Sequence, residues 1–517
     1  MPRAVCRLRS HRGGEWDSGP KALRTVAKLG SRNRIAVALR DEFTMNNRVD
    51  SSLQFSGAAH QGHAIVIGAS MAGLLAARVL CTHFERVTLI ERDDPPEQPE
   101  HRKGVPQGRH LHALHARGEQ ILDRLFPGLS DGLAMAGATR IDIPGDLVWY
   151  HLGGYNLRYK SGLTQLAMSR PLLESQVRRR VLGLSNLVCR RRHDVVGLLT
   201  SETHERVSGV TVRARSEDGQ QEAIVADLVV DATGRGSRSP AWLESLGYRK
   251  PSESAITIGY GYTTRLYKQD STYLGDAKAI FIQPTPPHTK RLGGLYPIEG
   301  GRWIVTLGGY KDHHAPADEA GFLEHARSLS APELYQVLRR AEPLSDFVSH
   351  GLPSNLRRHY EKMSRFPDGY LVIGDAMCSF NPIYGQGMTV SAIEAEVLDR
   401  CLSRMRSRNA SSRLAGEYFR GAARAIDGPW MVAAGEDFRY SGIEGKRSPG
   451  TNIINWYVGH VHRASHSDAA VSDALIKVMM LIDAPQTLFQ PRVVLPLLKD
   501  RLLRQSPTNR LPDSGPS

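Results

Sequence analysis

The sequence HAIVIGASMAG at residues 63–73 decides the fold. Its first five residues predict a buried parallel strand, a glycine turn follows, and the apolar pattern of residues 74–80 predicts a helix. A second strand is predicted at residues 87–90, and Glu91 comes directly after it. A strand, a tight glycine turn, a helix, a second strand and an acid within about thirty residues are typical of a dinucleotide-binding βαβ unit.

Several positions in this unit have a physical role toward a dinucleotide. Gly68 permits the tight turn, and Gly73 lets the helix lie close to the strand. The backbone amides at the start of the helix, around Ser70 and Met71, would face a pyrophosphate. Glu91 would accept hydrogen bonds from the hydroxyls of an adenosine ribose. Ser70 replaces the second glycine of the usual pattern, and the unit alone does not distinguish FAD from NAD.

Two later segments favour FAD. Residues 226–238 form an apolar strand that runs into Asp231 and a glycine turn, and residues 370–376 form a strand that ends in Gly-Asp. A carboxylate at the end of that strand, Asp375, can hold ribityl hydroxyls, which FAD has and NAD lacks.

The turn after this strand, NPIYGQGM at residues 381–388, precedes a predicted helix at residues 389–398. Its residues Gly385, Gly387 and Met388 would present free backbone amides at a helix N-terminus. That positive end suits the N1–C2=O edge of a flavin, where negative charge gathers on reduction.

Together these motifs resemble the single-component FAD monooxygenases built on the p-hydroxybenzoate hydroxylase fold. The branch that they resemble most is that of the squalene epoxidases and polyether epoxidases, whose flavin loop is similar to residues 382–390. The resemblance covers about residues 62–400 and implies an α/β fold. That fold is a three-layer Rossmann-type FAD-binding domain with an inserted mixed β-sheet substrate domain and a helical C-terminal tail.

The resemblance also implies further contacts with FAD. Arg92 follows the ribose acid, Arg102 lies in the loop after it, and Arg170 lies in the segment SRPLLE. Val195 would touch the adenine. The alternative for Arg102 and Arg170 is a solvated loop or helix end, and the arginine runs 178–180 and 190–192 are expected to form a solvated face.

The resemblance implies a hydroxylase or epoxidase that uses NAD(P)H and O2 through a flavin C4a-hydroperoxide on a lipophilic or aromatic small molecule. NAD(P)H would dock transiently, or a partner reductase would supply electrons. No residue is assigned as a catalytic acid or base. The alternatives are a prenyl-lipid reductase, a halogenase and a non-catalytic lipid carrier of the same fold. The halogenase signature W-x-W-x-x-P is absent, because Trp242 and Trp303 stand alone.

The pattern along the chain predicts a division into successive parts. Short alternating strands are expected in the substrate sheet, and Trp149, Tyr150, Tyr155 and Tyr159 line the pocket or pack in the core. The parts are 1–60, a disordered basic leader in which Met45 is an alternative start; 61–250, the first part of the FAD-binding domain; 251–355, the substrate sheet; 356–400, the flavin-binding part; and 401–517, a helical region.

Composition argues against several other classes of protein. Of the net charge of +14, +6 lies in the first fifty residues, so a nucleic-acid surface is not expected. The cysteines contain no C-x-x-C pair and favour a reducing, cytoplasmic setting. No membrane span is predicted, and no metal site is expected at His110, His112 and His115. Residues 471–505, broken by prolines, would pack on the FAD domain or lie on a membrane surface.

Overall fold

The fold was analysed in a computed structural model that describes residues 62–216, 219–406 and 413–505, without the side chains of 406 and 499–505. The predicted leader at 1–60 lies outside these residues. The described residues all belong to one compact unit.

The strands of the described residues run in the following order along the chain: β1 (His63–Ile67), β2 (Arg86–Ile90), β3 (Thr139–Asp142), β4 (Leu147–His151), β5 (Gly154–Tyr155), β6 (Thr164–Ala167), β7 (Leu187–Arg190), β8 (His193–Thr200), β9 (Val207–Ala214), β10 (Gln221–Val225), β11 (Leu228–Asp231), β12 (Ser252–Lys268), β13 (Ala279–Ile282), β14 (Arg291–Ile298), β15 (Arg302–Tyr310), β16 (Val348–His359), β17 (Tyr370–Val372), β18 (Cys378–Ser379) and β19 (Glu444–Gly445).

The α-helices lie between and after them: α1 (Met71–His83), α2 (Ala116–Leu125), α3 (Leu129–Met135), α4 (Arg170–Leu182), α5 (Ser239–Ser245), α6 (Glu319–Arg327), α7 (Glu333–Leu338), α8 (Gly387–Arg406), α9 (Leu414–Asp437), α10 (Thr451–Ala464), α11 (Ala469–Met479) and α12 (Pro491–Gln505).

A parallel sheet with the order β17-β11-β1-β2-β7 forms the centre of the molecule. Every residue of β1 is buried, as the apolar run predicts. Helices α1, α4 and α8 cover one side of this sheet. Helix α1 contacts β1, β2 and β11, and it packs against both α4 and α8. The antiparallel sheet β8-β9-β10 adds a third layer, because valines of β9 share the same core. The predicted Rossmann-type three-layer arrangement is confirmed.

A mixed sheet carries the second part of the fold, in the order β18-β16-β12-β15-β14-β13-β4-β5, with β4 parallel to β13. The expectation of short strands is wrong for β12, which has 17 residues. Its ladder with β16 shifts register between Thr257 and Tyr260, and Gly259 between them has φ of +54°. Such a bulge bends the strand without ending it.

The C-terminal helices pack on the mixed sheet, whereas the sequence favours packing on the FAD-binding part. Buried side chains of α10 and α11 share a core with Ile141, Leu147 and Trp149. Pro485 and Pro491 begin helical segments, but Pro496 lies inside α12 and does not end it. Among the described residues, no helix is long and apolar enough to cross a membrane.

Candidate active site

The first glycine turn is built as its sequence predicts. Gly68 has φ of +98°, and its N–H donates to the carbonyl oxygen of Ile90 at 2.7 Å. A Cβ atom at Gly73 would lie 1.8 Å from the carbonyl oxygen of Gly68, so only glycine allows this approach of α1 to the turn.

The start of α1 keeps its amide groups available. Ser70 is the N-cap, but its side chain makes no capping hydrogen bond to the helix. Its Oγ instead accepts a hydrogen bond of 3.0 Å from Nη2 of Arg170. The Met71 side chain is buried in the core. This end of the helix therefore offers backbone N–H groups, a hydroxyl and a guanidinium in one place, which suits a pyrophosphate.

Glu91 lies at the end of β2, next to this turn. Its Oε2 accepts the N–H of Ala69 at 2.8 Å, and its Oε1 accepts the N–H of Asp93 at 2.9 Å. Nη1 of Arg102 lies 3.1 Å from the same carboxylate. The side chain of Arg92 is 59% exposed, and its Nε lies 3.9 Å from Oδ1 of Asp93.

Four charged side chains form a buried cluster beside the turn, which we call the Glu174 cluster: Arg102, Arg170, Glu174 and Arg178. Glu174 accepts hydrogen bonds from Arg102 at 3.0 Å, from Arg170 at 3.1 Å and from Arg178 at 2.8 Å. Burial alone would raise the pKa of Glu174, but the three guanidinium groups lower it to about 2. Arg102 also pairs with Glu91 at 3.1 Å and Asp93 at 3.5 Å, whereas Arg170 and Arg178 share the single carboxylate of Glu174. The guanidinium of Arg170 thereby lies beside the start of α1, where an anionic cofactor is expected.

Glu174 is not among the residues predicted from the sequence, and the arginine run at 178–180 is expected there on a solvated face. Arg178 is instead buried, because its guanidinium pairs with Glu174. The spacing of Arg170, Glu174 and Arg178 at i, i+4 and i+8 on α4 is the signal that could have found the pairing.

Two other predicted residues, Val195 and Asp231, differ from this group. Val195 lies farther from the turn, and the carboxylate of Asp231 already accepts hydrogen bonds from its own loop. Val195 is half-buried in β8, opposite Val212. Asp231 is fully buried; its Oδ1 accepts from Thr233, and its Oδ2 accepts from the hydroxyls of Ser237 and Ser239. We interpret Asp231 as a residue that shapes its own loop.

The third motif meets the first one in space. Gly374 has φ of +70°, and a Cβ atom there would lie 2.6 Å from Cβ of Ala72 in α1. Asp375 follows Gly374 in the chain. Its Oδ1 lies 3.8 Å from the point that a Cβ atom would occupy if Gly387 carried one. Burial raises the pKa of Asp375, and the charges of Arg170 and Arg235 oppose that rise.

The flavin turn, residues 381–388, is held by a loop from elsewhere in the chain. Gly385 has φ of +63°, and a Cβ atom there would lie 2.9 Å from Cβ of Ala113. His115 lies at hydrogen-bond distance, 2.8 Å, from the carbonyl oxygen of Tyr384 through Nε2, and its backbone N–H donates to Oγ1 of Thr389. Met388 is buried at the start of α8.

The three histidines of this loop contact different parts of the structure. His110 Nδ1 lies 2.7 Å from the hydroxyl of Thr264 in the mixed sheet, whereas His112 Nδ1 lies 3.0 Å from the carbonyl oxygen of His110. Within the described residues, no group of His, Cys, Asp or Glu side chains is placed to hold a metal ion.

A cavity of about 990 Å³, including its open mouth, lies beside the flavin turn. Ile383 and Tyr384 of the turn form one end, and Tyr310 of β15 lies next to them. Most of the remaining wall comes from the chain after residue 430; it includes Met431, Tyr440, Val458, Leu475, Val478 and Leu488.

Asp437, at the end of α9, anchors this end of the cavity. Its Oδ1 accepts from the hydroxyls of Tyr310 at 2.8 Å and Tyr384 at 2.9 Å, and from Nδ2 of Asn381 at 3.0 Å. Its Oδ2 accepts from Nδ2 of Asn355 at 2.6 Å. Burial raises the pKa of Asp437 to about 6, and the tyrosine and asparagine donors oppose the rise. No motif in the sequence marks this residue.

The profile of the family described as FAD binding domain matches residues 62–427, which contain every motif above. The chain belongs to the FAD-binding-domain family. It is 35% identical to Protein Rv3254 of Mycobacterium tuberculosis (strain ATCC 25618 / H37Rv) over 441 residues, which are 82% of this chain and 90% of that protein. It is 24% identical to the kynurenine 3-monooxygenase of Salinispora arenicola (strain CNS-205) over 423 residues, 80% of this chain and 84% of that enzyme.

Solved structures of FAD-binding proteins share the fold. The flavin-dependent brominase Bmp2 aligns with a TM-score of 0.60 at 14% identity, over 86% of this chain and all of that one. PqsL, a probable FAD-dependent monooxygenase from Pseudomonas aeruginosa, aligns with a TM-score of 0.54 at 16% identity, over 74% and 98%. Family and relatives confirm the prediction of an FAD-dependent oxidoreductase of the monooxygenase family with the p-hydroxybenzoate hydroxylase fold. The epoxidase branch stays a prediction.

FAD fits the residues that this family member brings together. Gly68, Gly73 and Gly385 leave no room for a side chain. The N-terminus of α1 and the adjacent guanidinium of Arg170 offer hydrogen-bond donors for phosphates. At the flavin end, Oε1 of Gln386 is buried without a hydrogen-bond partner. An unpaired buried acceptor is costly, so a ligand donor at this place would stabilise the turn.

Proposed function

We propose that this chain is a monooxygenase that uses NAD(P)H and O2 to hydroxylate or epoxidise a lipophilic or aromatic small molecule. The observation that carries the proposal is the apolar cavity, which has Ile383 and Tyr384 of the flavin turn as one wall. FAD, when bound, supplies the electron transfer and the activation of O2. The protein then has to bind the substrate beside the flavin and exclude water.

We further propose which residues hold FAD. The turns and the Glu174 cluster support pyrophosphate and ribose contacts, and the third motif supports contacts to the ribityl chain and the flavin ring. Arg92 is exposed and Asp231 is internally bonded, so we assign both a supporting role. The proposed contacts are Gly68, Ser70, Met71, Gly73, Glu91, Arg102, Arg170, Val195, Asp375, Gly385, Gly387 and Met388.

The mouth of the cavity supports a lipophilic substrate. Met431, Ile454 and Phe489 line the cavity and are 41%, 37% and 41% exposed. Apolar side chains at an opening allow an apolar compound to enter without losing contact with apolar surface. Contact of this part of the chain with a membrane surface stays a prediction from the sequence.

The first test is a visible spectrum of the purified protein, followed by anaerobic titration with NADH and with NADPH. A flavin spectrum that either nucleotide bleaches and air restores is expected, and it identifies the reductant. Flavin that neither nucleotide reduces would indicate a partner reductase. A protein without flavin, even after reconstitution, would contradict the proposal.

The oxygen-transfer step needs a separate measurement, because a reductase or a halogenase of this fold would also be reduced. Turnover under ¹⁸O2 with a cavity ligand should yield a product that carries one ¹⁸O atom. A product with a saturated double bond and no ¹⁸O would favour a reductase. A product formed only with added halide would favour a halogenase, as in the brominase Bmp2.

A further inference from the structure

The wall of the cavity contains no cation to bind an anionic substrate. Among the described residues that line it there is no lysine or arginine, and its one acidic residue, Glu436, pairs with Arg439 at 3.0 Å. Two histidines in the wall are uncharged at neutral pH: burial lowers the pKa of His462 to about 3, and burial also lowers the pKa of His151 well below its ordinary value.

At the end of the cavity that the flavin turn forms, the hydroxyls of Tyr310 and Tyr384 can only accept hydrogen bonds from a ligand. Tyr310 and Tyr384 each have one hydroxyl hydrogen, and both donate it to Oδ1 of Asp437. The lone pairs of the two phenolic oxygens remain as acceptors, and the Tyr310 oxygen already accepts one hydrogen bond from Nδ2 of Asn381 at 3.2 Å. A substrate group placed there must therefore donate a hydrogen bond, because an acceptor would face lone pairs only.

Asp437 adds a fixed negative charge behind these two hydroxyls. It is fully buried, and two asparagines also donate to it, so its carboxylate is oriented from several sides. A second carboxylate brought close to it would lose its water and gain no cation, which is strongly unfavourable.

We propose that the cavity selects an uncharged, mainly apolar substrate with one hydroxyl or N–H donor, and that Asp437 makes it reject anionic compounds. The inference rests on the proposed function only in taking this cavity as the substrate site. This selection differs from recognition of a carboxylate substrate. A carboxylate needs a cationic partner, and the lining of this cavity has no arginine or lysine among the described residues.

Equilibrium binding to the oxidised, FAD-loaded protein at pH 8 tests this without turnover, so it stays separate from the test of oxygen transfer. The probes share one ring system: naphthalen-2-ol as a donor, 2-methoxynaphthalene as an acceptor only, and naphthalene-2-carboxylate as an anion. Calorimetry should give a Kd for the naphthol about tenfold lower than that for the ether, and the weakest binding for the carboxylate. Equal or tighter binding of the ether or the carboxylate would overturn the inference.

Two variants assign the selectivity to the named groups. Asp437→Asn removes the charge, and after the Asn355 amide rotates by 180° the new amide can donate to Oδ1 of Asn355, which is buried without a partner in the wild type. We expect the ratio of the Kd for naphthalene-2-carboxylate to the Kd for naphthalen-2-ol to fall by about tenfold in this variant. Tyr384→Phe removes one acceptor, so the preference for naphthol over the ether should fall toward unity even if the first variant does not fold.

Tyr440→Phe is the matched control for these substitutions. Tyr440 lines the same cavity and stacks on Tyr310 at 4.4 Å between ring centres, but its hydroxyl does not belong to the acceptor pair. The ratio of naphthol to ether binding should stay at its original value in this variant. A change as large as that of Tyr384→Phe would show that general packing sets the preference, and would contradict the role of the Asp437-bound hydroxyls.

Discussion

Glu174 and Glu394 are both buried carboxyls, and their neighbours shift their pKa values in opposite directions. Glu174 faces three arginines, which lower its pKa to about 2 despite burial. Glu394 in α8 has no arginine or lysine among the groups that shift its pKa. Burial raises its pKa to about 8, although its Oε2 accepts the N–H of Gly374 at 2.6 Å. Opposite pH dependences of stability follow from this contrast.

Glu174→Gln should destabilise the folded protein by about 3–5 kcal/mol at pH 7, because it leaves the buried guanidinium groups of Arg170 and Arg178 without their carboxylate. The folded pKa lies below the ordinary value of 4.5, so ionised Glu174 stabilises the fold above that pH. This contribution, about 3 kcal/mol, is lost as the pH falls from 4.5 toward 2, and the variant should lack that slope. Urea unfolding across this range measures both effects.

The matched control is Glu222→Gln, since Glu222 pairs with Arg190 at an exposed position. Exposed ion pairs contribute little, so this variant should lose less than about 1 kcal/mol. If the two variants unfolded at the same urea concentration, the Glu174 cluster would not stabilise the fold as argued.

Glu394→Gln should raise the stability at pH 8 and leave it nearly unchanged at pH 5. The folded pKa lies above the unfolded one, so the native state holds a proton that the unfolded chain releases, and wild-type stability falls as the pH rises from 4.5 through 8. A glutamine can still accept the hydrogen bond of Gly374, and the gain at pH 8 is about 4 kcal/mol. Thermal unfolding at the two pH values measures it; a variant less stable than wild type at pH 8 would refute the argument.

At the scale of elements, the sequence predicts best where the signal is local. The predicted strand at 63–67 is β1, and the predicted helix at 74–80 lies within α1, because glycine, strand and acid lie within one short segment. Asp437 escapes prediction because its partners come from distant segments. In the Glu174 cluster only Arg102 is distant in sequence, and the spacing on α4 is a local signal for the other two pairs. The region that contains α10 and α11 is predicted to be helical. Its apolar pattern does not predict which surface these helices pack on, and in the structure they pack on the mixed sheet.

Gly73→Ala tests the closest contact between two elements. Its methyl group would lie 1.8 Å from the carbonyl oxygen of Gly68, so α1 would have to move away from the turn. We expect this variant to lose most of its bound FAD, measured as the ratio of absorbance at 450 nm to that at 280 nm. Gly183→Ala is the control, since a methyl group there meets nothing closer than 3.5 Å. Equal flavin content in both variants would contradict the proposed pyrophosphate site.

At the scale of the whole molecule, the proposed cofactor site and the proposed substrate cavity come from different stretches of the chain. The proposed FAD contacts lie between residues 68 and 388, whereas most of the cavity wall lies after residue 430 and outside the matched family domain. Helices α10 and α11 bring this later stretch over the flavin turn by packing on β4 of the mixed sheet. Substrate choice can therefore change in the C-terminal helices without altering the flavin site.

Val458→Phe should separate these two functions. Val458 lies on α10 and lines the cavity, so a larger ring there occupies space that a substrate needs. We expect unchanged flavin content and a rise of about ten- to a hundredfold in the Kd for naphthalen-2-ol, the range that overpacking of 1–3 kcal/mol implies. Val225→Phe is the control, because Val225 is 68% exposed on β10 and is not among the residues that line the cavity. If Val458→Phe lost FAD but bound the naphthol normally, the C-terminal helices would support the cofactor rather than the substrate.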